Sequence, residues 1–335
     1  MGTSSRLSSS PTTITTSAQA QPVQSPFPFN QLPGATLAQI NSQDGKIAAL
    51  AAIVRFAQNQ GYFIYQHVEK SLSKKAITLD CTDAVNGKFK IDTIDDKLPD
   101  RRLERIYIQV HHNAPQRLIV EHLVDHLAET TLGRTNLELK KNVTIDIFDS
   151  DADWGLRDNA GFIVTDRLQL HQISVDSDEM LKMLKPAKDV TITALKLTNE
   201  KDIDDILHFD KTLSNHNRAS FLKYLYSQTI VYIARRENDE GAVVVVGYIV
   251  SSKADHHVLA LYADSQQIAD ALMAHQMIQS RAKKAIFCAP RSQWRKLSTL
   301  ISLKSRAIYR RHTRHVPPNI KWDRIFAFNA GLNLF

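Results

Sequence analysis

Cysteine is nearly absent: Cys81 and Cys288 are the only two in 335 residues. That excludes a disulfide-stapled secreted scaffold and a cysteine-built zinc finger. No apolar run approaches the ~18 residues that a membrane-spanning helix needs, so no membrane partner is expected. Acid is missing from the first 43 residues, where the only charge is Arg6. Ser, Thr, Pro and Gln dominate there, as in Ser8-Ser9-Ser10-Pro11-Thr12-Thr13. Such a stretch buries too little to offset the entropy of ordering, and residues 1–40 are read as a disordered tail. A Ser/Thr-rich, acid-poor start also describes an organelle transit peptide, but those are Arg-rich and amphipathic. A cytoplasmic location is the expectation and organelle import the alternative. No secretory apolar core follows, which leaves the sequon Asn142-Val143-Thr144 without meaning.

What is present describes a globular chain. Hydrophobic residues make up 43% and charged residues 23%, enough to bury a sizeable core. At roughly 150 residues per domain the length suggests two domains. The net charge is +7, which permits an anionic partner such as nucleic acid, a phosphorylated cofactor or a lipid head group. The excess is concentrated. Between Arg281 and Arg324 there are thirteen Lys and Arg against one acid, Asp323, so the rest of the chain is slightly acidic.

Periodicity sketches the elements. The Ala-rich run Ile47–Phe56 predicts a helix that Gly61 ends, and Tyr62–Ser73 a second one. Ala76–Leu79 and the alternating Phe89–Ile94 read as strands, with Asn86-Gly87 as a hairpin signal. Strands are expected at Ile106–Val110, Val143–Phe148, Phe162–Val164 and Leu168–Val175, and a helix over Leu118–Leu127. Charged residues and Pro186 mark a boundary within Asp176–Asp189. Beyond it come strands at Val190–Lys196, Thr229–Ala234, Val243–Val250, Val258–Tyr262, Ala285–Ala289, Ala307–Thr313 and Arg324–Phe328. Helices are expected over Glu200–Phe209, Arg218–Ser227, Ser265–Met277 and Ser292–Ile301. The pattern is α/β (α+β), with a mixed, mostly antiparallel sheet flanked by helices, used twice. The expected domains are 41–178 and 188–335.

The second half carries a set of segments in order: Phe209-Asp210-Lys211-Thr212-Leu213, Asn217-Arg218-Ala219-Ser220-Phe221-Leu222, Val246-Gly247-Tyr248-Ile249, Leu261-Tyr262-Ala263-Asp264, and Arg324-Ile325-Phe326-Ala327-Phe328-Asn329-Ala330-Gly331-Leu332. Together these resemble the C-terminal module of YitH-type acetyltransferases, a branch of the GNAT N-acetyltransferases. Residues from about Ile47 to Val175 resemble the GNAT domain that precedes that module. The resemblance implies acetyl-CoA held between two parallel strands that splay apart, with its pyrophosphate on backbone N–H groups at a helix start. It also implies transfer of acetyl to a small-molecule or peptide amine.

The family's glycine-rich loop aligns with His111–Val120, which places the cofactor on Gln116, Arg117, Leu118, Ile119 and Val120. Leu118 and Val120 stand where the family has small residues, and Pro115 removes one donor. The tyrosine that many GNAT enzymes use as general acid falls at Arg157, four residues before Gly161-Phe162. The amine must lose a proton, and Glu104, His111 and His112 are the candidate bases by placement. Asp210 and Arg218 match recurring positions of the second module, and also read as a structural pair. His122 and His126 share a helix face, but without a third ligand no metal is expected. The basic C-terminal stretch, interleaved with Trp294, Tyr309 and Trp322, offers a surface for an anionic ligand. Three functions follow: an acetyltransferase, a catalytically silent GNAT-like protein binding a ligand or partner, and a nucleic-acid-binding protein.

Overall fold

A computed structural model describes residues 32–72, 75–95, 117–133, 140–148, 156–157, 160–214 and 216–328. Sixteen strands and five α-helices lie in it. The first half holds β1 (Ala35–Asn41), β2 (Ile47–Ala57), β3 (Gln60–Val68), β4 (Ala76–Asp80), β5 (Lys88–Asp95), β6 (Arg117–Leu118), α1 (Ile119–Leu132), β7 (Asn142–Phe148), β8 (Val164–Thr165) and β9 (Leu170–Asp176). The second half holds α2 (Ser177–Met183), β10 (Thr191–Ala194), α3 (Glu200–Lys211), α4 (Ala219–Gln228), β11 (Thr229–Glu237), β12 (Val243–Ser252), β13 (Val258–Ala263), α5 (Gln266–Ser280), β14 (Lys284–Pro290), β15 (Lys304–His312) and β16 (Ile325–Ala327). The fold is mixed α/β on a mainly antiparallel sheet. The 40/41 boundary expected for the tail falls inside β1. Ile106–Val110 lies outside the described residues.

Two predicted helices are strands. Ile47–Ala57 is β2, because its neighbours decide against alanine's intrinsic helix preference. It runs between β1 and β3, and Ala48, Ala49, Ala51, Ala52, Ile53 and Val54 are all buried, some on each face. A continuous apolar run serves equally as a strand covered on both sides. The Tyr62 run is β3, where aromatic and branched residues suit a pleated surface. Gly61 is therefore no helix stop; it pairs with Arg55 and Val143 inside the sheet. The Ser292–Ile301 helix is realised as a 3-10 stretch, Arg291–Thr299.

All sixteen strands join one sheet, fourteen of them in the order β10-β11-β12-β13-β14-β9-β15-β7-β3-β2-β1-β5-β4-β6, with β16 beside β13 and β8 beside β15 off that path. The two sequence halves exchange strands at its centre. β9 pairs antiparallel with β14, from Lys284↔Asp176 to Pro290↔Leu170. β15 pairs antiparallel with β7, from Ile308↔Phe148 to His312↔Thr144. β9 and β15 then pair with each other. One apolar core is common to both halves: Val54, Tyr62, Ile64 and Phe148 meet Ile206, Leu213, Tyr226, Tyr248 and Phe328. Two others are local, one under α1 and one under α5. No described helix is long and apolar enough to cross a membrane.

Candidate functional site: two parallel strand pairs that diverge

Parallel strands need a crossover, and each half supplies a helix for it. In the first half α1 returns the chain so that β7 lies parallel to β3. Their ladder covers Gln60↔Asn142, Gly61↔Val143 and Tyr62↔Thr144, then stops. In the second half α5 brings β14 parallel to β13, and their ladder is the single pair Val258↔Phe287. Both pairs diverge toward their C-terminal ends.

The two openings differ. Among the described residues, nothing pairs with the edge of β3 beyond Tyr62, while its other edge stays on β2 as far as Val68. The opening between β13 and β14 is filled. β16 pairs antiparallel with β13 at Leu261↔Ala327 and Tyr262↔Ile325, and Phe328 bridges to Cys288 of β14, its N–H donating to the Cys288 carbonyl at 2.8 Å.

Helix starts are distributed the opposite way. α5 follows β13 directly, and Ser265 caps it by accepting from the Ile268 N–H at 3.4 Å. Asp264, one residue earlier, pairs with Arg324. α1 starts from β6, which pairs with β4 at the far end of the sheet path. Four strands of that path separate β6 from β3.

This places the residues assigned to the cofactor loop. Arg117 and Leu118 form β6, and Ile119 and Val120 open α1. The Leu118 N–H donates to the Glu121 carboxylate at 2.8 Å. The buried Arg117 side chain pairs with Asp125. Leu118 and Ile119 are buried, and Val120 packs on the core under α1. Gln116, Glu104, His111 and His112 lie outside the described residues. Arg157, at the position of the family's tyrosine, is exposed.

Asp210 and Arg218 are brought together. Arg218 donates Nε–H to Asp210 Oδ2 at 3.1 Å, and its Nη2 pairs with Oδ1; both side chains are almost wholly buried. Tyr248 donates to Asp210 Oδ1 at 2.7 Å, and the Arg218 guanidinium lies 5.5 Å from the Tyr262 ring centroid. Burial opposes the Arg218 charge, but Asp210 outweighs it and raises the guanidinium pKa. Burial and the nearby Asp210 charge push the Tyr248 and Tyr226 phenols well up. Such groups hold charge in place and do not exchange protons near neutral pH.

A second buried cluster sits beside the β3/β7 opening. Arg310 on β15 donates to both oxygens of Asp146 on β7, at 2.8 and 2.9 Å, and Tyr62 on β3 donates to Asp146 Oδ2 at 2.6 Å. The Arg310 guanidinium stacks near Trp322 and Phe328, 5.3 and 5.5 Å from their ring centroids. Two register positions along, His312 Nδ1 lies 2.9 Å from Thr144 Oγ1, and His312 Nε2 lies 3.8 Å from Asp166. Burial holds the His312 imidazole below its ordinary range, with Arg310 adding to the effect. Sequence reading missed Tyr62, Asp146 and Arg310. The available signal was one acid, Asp146, as the single charge in the strand, since a buried carboxylate requires a partner.

His122 and His126 face separate partners: His122 Nε2 lies 3.1 Å from the Ile77 carbonyl, and His126 stands edge-on to Phe89. Among the described residues no three His, Cys, Asp or Glu side chains gather as they would for a metal ion. The basic stretch is divided. Arg310, Lys296 and Arg324 neutralise Asp146, Asp270 and Asp264, and Arg311 bonds Thr165. Arg281, Lys283, Lys284, Arg291, Arg295, Lys304, Arg306, Arg314 and Lys321 remain exposed.

A family model described as a domain of unknown function, DUF7596, matches residues 19–164. No curated protein matches the chain. Several solved structures are similar at low identity. An inferred acetyltransferase from Pyrococcus horikoshii is 14% identical with a TM-score of 0.49, over 85% of this chain and 76% of that one. A GCN5-related N-acetyltransferase from Sphaerobacter thermophilus is 12% identical with a TM-score of 0.43, over 81% and 79%. The GCN5-related glucosamine N-acetyltransferase region of a fungal multi-domain β-N-acetylglucosaminidase is 11% identical with a TM-score of 0.46, over 85% of this chain and 33% of that longer one.

Proposed function

We propose that this chain is a GNAT-type acyltransferase-like protein that receives the pantetheine arm of an acyl-CoA between β3 and β7. The observation that carries the reading is that, among the described residues, the parallel ladder of β3 with β7 ends at Tyr62↔Thr144 while both strands run on. An amide-bearing arm can bond such an edge as an added strand would. A CoA thioester would bring the acyl group. The chain would bring the β3 edge to align it and apolar walls, among them Ile64 and Phe148, to exclude water from it. Proton removal from an amine would fall to the 96–116 stretch, where Glu104, His111 and His112 are the candidates.

One observation favours the silent reading. The α1 start, where the family resemblance puts pyrophosphate, already has Leu118 N–H on Glu121 and Arg117 on Asp125. A carboxylate at that end occupies the donor and repels a phosphate. The exposed part of the basic stretch is then the surface left for an anion.

Calorimetry with acetyl-CoA, followed by thiol release in the presence of a panel of amines, separates these readings. Binding with thiol release supports the acyltransferase. Binding without release for any amine supports the silent protein. No heat at millimolar acetyl-CoA overturns the acyltransferase.

A further inference from the structure

The opening between β13 and β14, like the one between β3 and β7, lies between parallel strands whose ladder is short, yet it is lined by bonds already made. We infer that Ile325–Phe328 is a permanent intramolecular occupant of this second opening, standing where a ligand arm would lie, so that the C-terminal half carries no vacant slot. The strand meets both walls. On one side Ala327 and Ile325 take the β13 edge at Leu261 and Tyr262, and on the other Phe328 N–H bonds Cys288. Its side chains fill both faces: Ile325 and Phe328 enter the core common to the two halves, and Phe326 enters the core under α5. All four residues, Ile325 to Phe328, are at most 2% exposed.

The segment is also anchored at its entry. Arg324 pairs with Asp264 at the β13–α5 turn, donates to Thr212 Oγ1 at 2.7 Å and lies over the Phe209 ring. Trp294 Nε1–H donates to the Phe326 carbonyl at 2.6 Å, and Gln293 donates to the carbonyls of Trp322 and Asp323. Lys321 N–H reaches the Leu213 carbonyl at 2.8 Å. A ligand entering here would have to break three backbone contacts and expel Phe326 and Phe328 into water. The turn where its phosphates would arrive presents the Asp264 carboxylate. The arrangement therefore closes the second opening and, among the described residues, leaves the β3/β7 opening for an acyl-CoA. That last clause rests on the acyl-CoA reading; the occupancy by β16 does not.

Hydrogen exchange of the full chain, read by mass spectrometry with and without acetyl-CoA, tests both parts. Amides of 325–328 and 259–263 are expected to exchange more than about 100-fold slower than unstructured peptide without any ligand, as core strands do. Saturating acetyl-CoA is expected to leave these amides unchanged, to slow exchange over residues 63–68, and to bind one per chain. Exchange of 325–328 at the unstructured rate overturns the inference, as does ligand-dependent change in β13, β14 or β16, or two ligands bound per chain. If acetyl-CoA alters nothing and binds nowhere, the acyl-CoA reading fails. In that case the protection of 325–328 without ligand still decides whether the second opening is occupied.

Discussion

Arg310 and Asp146 show how a single buried pair ties distant parts of the chain. Both side chains are almost wholly buried, and each belongs to a different half of the sequence. Removing one partner leaves the other charged and uncompensated in the interior. Asp146→Leu or Arg310→Met alone is expected to cost about 3–5 kcal/mol, and the double variant Asp146→Leu/Arg310→Met much less than the sum. Urea denaturation of the four proteins measures this cycle. His312 and His216 give a pH dependence. Burial lowers both imidazoles in the fold, so the unfolded chain binds more protons. Their stabilising contribution is complete above the unfolded-state value of ~6.5, and is lost as pH falls through that value toward the folded-state one. The urea midpoint is expected to drop between pH 7.5 and 5.5, and His312→Asn to drop less steeply; an unchanged midpoint in the native chain would contradict this. The Asp210–Arg218 pair was legible as two matched positions eight residues apart. Asp146–Arg310 was not, because its members are 164 residues apart and only the strand exchange brings them together.

At the scale of elements, local pattern worked where one face of a segment is exposed and failed where both are covered. β5 alternates and was read correctly. β2 and β3 are covered on both faces, so their composition looked helical until the sheet supplied neighbours. Gly87 shows what a local signal can specify. It adopts φ 67° between β4 and β5, and a Cβ there would stand 2.4 Å from the Leu37 carbonyl oxygen. Backbone cannot yield as a side-chain end can. Gly87→Ala is expected to destabilise by more than the ~1 kcal/mol of an ordinary glycine conformational effect, because it adds a clash with β1. Thermal melts against an Asn86→Ala control measure it, and equal losses in the two variants would remove the steric argument. The β13–α5 turn was also readable from sequence, as the break between the strand at Val258–Tyr262 and the helix over Ser265–Met277.

For the molecule as a whole, the sequence suggested two modules in succession, and the structure joins them through one sheet. β9 completes the edge of β14 and β15 completes the edge of β7, so each half lacks an inner strand without the other. Either half alone would present unpaired edges and the apolar surface of the common core. Residues 32–189 and 190–335, produced separately, are each expected to lack a cooperative thermal transition, whereas the full chain unfolds in one. A well-dispersed amide spectrum from either half alone would contradict this.

The sequence by itself determined the composition-level class, the mixed α/β fold class, most of the strands and helices, and the Asp210–Arg218 pair. These depend on short-range periodicity and on residues close along the chain. Only the tertiary structure decided that β2 and β3 are strands, that the halves trade β9 and β15, and that the β3/β7 ladder ends at Tyr62↔Thr144 while the β13/β14 opening holds β16. Each of those outcomes is set by which backbone edges and apolar faces meet across more than a hundred residues, and no local pattern encodes that meeting.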